Sequence, residues 1–225
     1  HLTRDQRYES LLVEIARCPI AIACLNGEAN SPCSEIVLSQ ATRDITQFQS
    51  PEPWSGQLDL APLLFISSNP SIAPTAYEQY PRATWDQQAI VEYFDKRFGG
   101  SLYSSVQDGI YDALPGTTRS ARGTRYWISI RARAAELLGK SPAELHPGLD
   151  YALTEIVRCK STGEKGVAQA VSTCTGRYLA STFELANATT FVVVGAHASK
   201  EIAKLLDLNP VTKLQGPTFI AGKQR

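Results

Sequence analysis

Residues Ala61–Pro74 read "APLLFISSNPSIAP". The apolar run Leu63–Ile66 stops at two serines, then Asn69, Pro70 and Ser71. A short apolar run bounded by turn residues reads as a buried strand, of the kind found in parallel sheets. Pro70 has no N–H to give to a ladder, so the strand ends there. An amide side chain, Asn69, is left at its carboxyl end, the edge at which open α/β sheets bind ligands.

Working outward, the stretch 3–17, "TRDQRYESLLVEIAR", fits a helix with Leu11, Leu12 and Ile15 on one face. Residues 26–60 are loop-rich and include the turn-forming "PEPWSG". After the first strand come a helix over 85–98, a Gly/Ser/Arg-rich segment over 99–124, and a helix over 125–139 closed by Gly139. "YALTEIV" (Tyr151–Val157) reads as a strand and Val167–Leu185 as a long helix. "TFVVVGAHAS" reads as a strand running into a helix at Ser199–Leu206, and "TFIA" (Thr218–Ala221) begins a last strand. This alternation predicts a single three-layer α/β/α domain over 1–225, with a central parallel sheet of about four strands. Residues 1–60 form its N-terminal helix and cysteine-containing loop region.

The chain has 225 residues, enough for one large α/β domain or at most two small ones, with 43% hydrophobic and 20% charged residues. No apolar run is long enough to span a membrane. The stretch "HLTRDQRYES" lacks a signal-peptide pattern. Zero formal net charge argues against a strongly basic nucleic-acid coat, though not against a local basic face. Five cysteines without an export signal favour reduced core thiols or metal ligands over a disulfide framework.

A parallel sheet gathers the carboxyl ends of its strands along one edge. Three unusual ends are expected there: Asn69-Pro70-Ser71, Thr154-Glu155 with Arg158-Cys159-Lys160, and Gly195-Ala196-His197. "LLFISSNPS", "YALTEIVRCKSTGEKGVAQAVSTCTGRYL" and "FVVVGAHAS", in that order over roughly residues 60–200, resemble the uracil-DNA glycosylase superfamily, most nearly its iron–sulfur branch. The resemblance implies a DNA-repair glycosylase that flips a deaminated base, uracil first among candidates, out of DNA and hydrolyses its N-glycosidic bond. It implies DNA carrying such a base as partner, no membrane, a monomer, and a cytoplasmic setting.

Residue by residue, the resemblance gives Asn69 the water-positioning place, with Pro70 fixing its loop. An amide takes no proton, so Asn69 would orient water rather than act as a base; its bland alternative is a turn cap. Glu155 stands where the branch has an asparagine that reads the flipped base. A carboxylate only accepts, whereas a carboxyl protonated by burial recovers a donor; pairing with Arg158 or Arg177 is the structural alternative. His197 is a candidate donor to a base oxygen, set against a purely structural histidine. The given sequence ends in "TFIAGKQR" without the His-Pro segment that the family places after its last strand. Ser68 and Ser71 are candidate substrate or phosphate donors, and Tyr80, ahead of Tyr77 and Trp85, is the candidate base-stacking ring.

In the iron–sulfur branch, two cysteines spaced like Cys159 and Cys174 ligate a [4Fe–4S] cluster with two nearer the N-terminus. Cys18 and Cys33 are the expected partners, with Cys24 as substitute; buried free thiols and zinc are the alternatives. Arg119, Arg122 and Lys160, in loops, are the expected phosphate contacts, while Arg131 and Arg133 read as a solvated helix face. Two other functions are compatible with these residues: a DNA-damage binding protein with little or no turnover, and a small-molecule enzyme sharing only the architecture.

Overall fold

A computed structural model describes residues 3–28, 30–72, 79–99, 105–113, 122–207 and 218–220. In chain order its elements are α1 (Arg4–Ala16), α2 (Pro19–Leu25), α3 (Ser34–Leu38), β1 (Leu63–Ser67), α4 (Gln87–Asp95), β2 (Ser105–Gln107) and β3 (Tyr111–Ala113). There follow α5 (Arg125–Leu138), β4 (Tyr151–Glu155), α6 (Val167–Leu185), β5 (Thr190–Val193), α7 (Ala196–Leu205) and β6 (Thr218–Ile220).

The main sheet has the order β4-β1-β5-β6, so the "LLFIS" strand lies inside it. Its pairings with β4 and β5 are both parallel. Pleating sends Leu64 and Ile66 to a core shared with Leu12 and Ile15 of α1, Phe94 of α4 and Leu179 of α6. Leu63 and Phe65 face the other way, onto Ile130, Ala134 and Ala135 of α5. Helices cover both faces, which is the expected α/β/α arrangement. The last strand departs from the all-parallel expectation: β6 joins β5 antiparallel. Alternation of helices and strands does not fix the direction of a short edge strand, and one antiparallel edge on a parallel sheet is common.

The helix expected over 3–17 is α1, begun by a capping box in which Thr3 and Gln6 satisfy each other's backbone N–H groups. Gly139 closes α5 in the left-handed conformation, as its sequence position suggests. The short α2 and α3 and the β2–β3 hairpin fall where loops or no element were expected; elements this short carry too little periodicity to read.

"PEPWSG" is more than a turn. Ser55 and Leu153 exchange both backbone hydrogen bonds, 2.9 and 3.0 Å, so this segment closes the outer edge of β4. Trp54 is fully buried and its indole N–H donates to Tyr8 Oη at 2.8 Å, which donates to Asp95 at 2.6 Å. Among the described residues no helix is long and apolar enough to cross a membrane.

Gly166, the N-cap of α6, has φ +77, and a Cβ there would lie 2.4 Å from the backbone N of Ile36 in α3. Gly163, at φ +60, has open space around the same atom. Gly166→Ala is therefore expected to cost about 2–3 kcal/mol in urea unfolding, through left-handed strain plus a backbone clash, and Gly163→Ala only about 1 kcal/mol.

Candidate functional site

The carboxyl ends of β1 and β4 stay joined beyond the sheet. Ile156 and Val157 donate to the carbonyls of Ser67 and Ser68 at 3.0 Å each, and Ser161 donates to Pro70 O at 3.2 Å. On the other side Val194 N donates to Ile66 O at 2.8 Å, and Gly195 lies against Ser68, whose Oγ would be 3.2 Å from an added Cβ. The three expected strand ends thus meet at one edge, with Ser68 between them.

Asn69 is half-buried in this seam. Its Nδ2 donates to Pro70 O and Ser161 Oγ, both at 3.0 Å, and more weakly to Cys159 O at 3.4 Å. The amide nitrogen is structural, fastening one strand end to the other, while Oδ1 has no protein partner among the described residues and is left as an acceptor. The turn-cap and water-orienting readings are therefore compatible, one for each end of the same amide.

Beneath the seam is a charged cluster. Glu52, from "PEPWSG", accepts from Ser55 and Tyr80 at 2.8 Å each and from Lys160 at 3.2 Å. Burial alone would raise its pKa, but Lys160, Arg97 and those two hydroxyls outweigh burial and hold it down at about 2. Glu155, in register with Ser67, is 4% exposed, and its Oε2 is buried without a hydrogen-bond partner among the described residues. Burial first, then the charge on Glu52, holds its carboxyl well above the usual carboxylate range, against Arg158, Lys160 and Arg97. The structural alternative for Glu155 is not realised. Arg158 donates to Pro53 O and to the Thr154 and Thr182 hydroxyls, and Arg177 to Tyr178 and Glu14.

Behind β4, Cys18, Cys33, Cys159 and Cys174 line one small cavity together with Val157, Arg158 and Tyr178. Cys18 and Cys33 are the N-cap residues of α2 and α3, Cys159 follows β4, and Cys174 lies in α6. Arg158 N–H points at Cys174 Sγ at 3.3 Å. Burial pushes the Cys174 thiol up to about 11, and Cys159 also rises, from burial and then its neighbouring thiols. Cys24 is not part of the wall; its Sγ faces Ser34 Oγ at 3.6 Å.

No family model, curated protein or solved structure matches the chain. The functional assignment therefore rests on the residues themselves.

Four thiols are an all-sulfur donor set, the ligand type of iron–sulfur clusters and of structural zinc alike. Zinc needs every ligand within about 2.3 Å of one point, and among the described residues no three Cys, His, Asp or Glu side chains converge in that way. The four thiols line one cavity of only about 10 Å³, as the chain stands without a bound group.

Two expected contacts are corrected. Lys160 is 2% exposed, bonded to Glu52 and to Ser71 O at 2.9 Å, with its ammonium 3.8 Å from the Tyr80 ring centre; a buried, saturated ammonium does not meet phosphate. Tyr80 is 1% exposed, packed edge-on to Tyr93 with its hydroxyl on Glu52, so it offers no face for a base. Ser68 and Pro70 are buried in the seam, while Ser71 is exposed. His197 sits in the first turn of α7, 3.9 Å from Glu164. Arg122 is exposed; Arg119 and Tyr77 lie outside the described residues. Arg131 donates to Pro142 O beyond the end of α5, and Arg133 pairs with Glu136 one turn on. Sequence reasoning did not single out Glu52 or Arg97 as site residues; the available signal was a glutamate between two prolines and beside a tryptophan.

The seam selects an amide. At Asn69→Asp a carboxylate oxygen would face Pro70 O and Cys159 O, both acceptors, and only the protonated acid would fit. The fold would then bind a proton that the unfolded chain releases above about pH 4. Asn69→Asp is expected to lose about 1–3 kcal/mol at neutral pH, with the deficit narrowing as pH falls toward 4, as read by thermal unfolding at several pH values.

Proposed function

We propose that the chain is a DNA-base glycosylase that binds an extruded deaminated base and hydrolyses its glycosidic bond. The observation that carries this reading is Asn69 at the meeting of three strand ends, its Oδ1 without a hydrogen-bond partner among the described residues, beside a buried cluster holding Arg97, Arg158, Lys160, Glu52 and Glu155. In the reaction the C1′–N bond breaks, the base leaves with the bonding electrons, water adds to C1′, and the proton that water loses ends on the departing base anion, which leaves as the neutral base. Asn69 Oδ1 accepts a hydrogen bond from that water and aims its lone pair at C1′; it takes no proton itself. Glu52 is the firmly ionised carboxylate of the cluster, set against the cationic Arg97, Arg158 and Lys160. This imbalance favours negative charge developing on the departing base in a site shielded from water.

Cys18, Cys33, Cys159 and Cys174 are the residues that would hold a [4Fe–4S] cluster. When bound, it would tie α2, α3, the turn after β4 and α6 together through thiolates; the hydrolysis itself is redox-neutral. Anaerobically prepared protein is expected to carry about four iron and four sulfide per chain, with broad visible absorption. Cys159→Ser should lose both the metal and the absorption, and Cys24→Ser neither; retention of iron by Cys159→Ser would remove this ligand set.

A second reading, damage binding with little turnover, is favoured by Asn69 having no proton to exchange and its amide nitrogen already committed to the seam. The two readings separate on labelled single- and double-stranded oligonucleotides carrying uracil, hypoxanthine or xanthine. The glycosylase reading expects alkali-sensitive cleavage that Asn69→Ala slows by about 100-fold or more. Tight binding to the same DNA without cleavage would favour the second reading, and neither binding nor cleavage would exclude both.

A further inference from the structure

Asp95 ends a buried chain of hydrogen bonds that the proposed reaction does not use. The Trp54 indole donates to Tyr8 Oη at 2.8 Å, and Tyr8 donates to Asp95 Oδ1 at 2.6 Å. Three elements are joined in this way: the edge segment that holds Glu52 and closes β4, helix α1, and the last residue of α4. Trp54 is fully buried, and the Tyr8 ring packs against it at 4.9 Å between centroids. Burial first, then Asp95, raises the Tyr8 hydroxyl well above its ordinary range, so Tyr8 stays a donor.

Tyr8 and Asp95 also line a cavity of about 190 Å³ near the start of β1, at the opposite end of that strand from Asn69. Its other walls are Asp5 and Glu9 of α1, and Gln57, Asp59 and Leu60, which lead into β1. Four carboxyl groups thus share one cavity, and among the described residues no lysine or arginine lines it. The cation that acts on Asp95 is Lys96, just past α4, whose exposed ammonium lies 3.8 Å from Glu92. Withdrawal from water and like charges nearby both favour the neutral form of a carboxyl. Burial foremost, then repulsion from Asp59 and Glu9, pushes Asp95 up to about 6, against the Tyr8 hydrogen bond and Lys96.

We infer that Asp95 is a proton-operated clasp: with a proton bound it holds α1, the edge segment and α4 together more tightly than when ionised. The gain is relief of repulsion from Asp59 and Glu9. The hydrogen-bond chain persists, since a carboxyl C=O accepts from Tyr8 as a carboxylate does. The clasp is independent of the glycosylase reading. An aspartate in the unfolded chain releases its proton at about pH 4. The folded chain keeps it to about pH 6, so the stabilisation is full below pH 4 and is lost as pH rises through 6. Through Trp54 the same proton reaches the segment whose Ser55 pairs with Leu153, so the edge of β4 should open more readily at pH 7.5 than at pH 5.

Three measurements on the full chain test the clasp. Carbon-13 NMR of the side-chain carboxyls, with Asp95 assigned by the signal lost in Asp95→Asn, should show a midpoint at about 6 that moves down in Asp59→Asn. Asp95→Asn keeps an acceptor for Tyr8 but has no proton to titrate. Relative to that variant, the wild-type unfolding constant in urea should fall about tenfold from pH 7.5 to pH 5. Hydrogen exchange of the Ser55 amide, corrected for intrinsic pH dependence, should show up to about tenfold more protection at pH 5 in the wild type, and level protection in Asp95→Asn. Should Asp95→Asn fail to fold, the wild-type midpoint and its displacement in Asp59→Asn still decide. A midpoint in the ordinary carboxylate range, or one that Asp59→Asn leaves in place, overturns the inference. So does a raised midpoint with Ser55 protection level across the pH range.

Discussion

Lys160 Nζ lies 3.2 Å from Glu52 Oε2, with both side chains almost wholly withdrawn from water. Removing one partner of such a pair strands the other charge, at a cost of about 3–5 kcal/mol. More is attached to this contact than its own energy. Glu52 belongs to the segment that closes the edge of β4, and its backbone N–H donates to Arg158 O at 2.8 Å. Lys160 sits between Cys159, which lines the thiol cavity, and Ser161, which accepts the Asn69 amide. One tripeptide therefore sends consecutive side chains to a cavity, to an ion pair and to the strand seam. Displacing the lysine would disturb both of its neighbours.

The sequence carried the frame of this arrangement through periodicity and punctuation. "LLFIS" ending at Asn-Pro located β1, and Val167–Leu185 matched α6 residue for residue, because a long helix offers many turns to read. The gathering of strand ends followed from parallel pairing, and the four cysteines chosen on the resemblance do line one cavity. What could not be read was burial of charge. Lys160 after a strand looks like any loop lysine, and only the edge segment folding back from more than a hundred residues away removes it from solvent. Tyr80 was misjudged for the same reason, since its partners Glu52, Tyr93 and Lys160 are distant or face it only after folding. The direction of β6 was likewise invisible, being a backbone matter at a sheet edge.

An amide at position 69 and an acid at position 155 organise the candidate site. Each is explained by what surrounds it. Position 69 faces two carbonyls and a hydroxyl, so it needs a donor that cannot lose its proton. Position 155 is buried near ionised Glu52, and both effects push its carboxyl toward the un-ionised form against Arg158, Lys160 and Arg97.

The consequence for chemistry is an asymmetry of charge. Were Glu155 ionised, the cluster would hold two carboxylates against Arg97, Arg158 and Lys160 and come close to balance. As the Glu155 carboxyl is pushed toward its un-ionised form, the buried cations are less well balanced, which works against stability. A departing base anion is the partner that would balance them: its charge arises only as the glycosidic bond breaks, beside cations already fixed in place. On the proposed glycosylase reading, ground-state DNA would bring no such charge to that position, so cations fixed there would favour the transition state over the bound substrate.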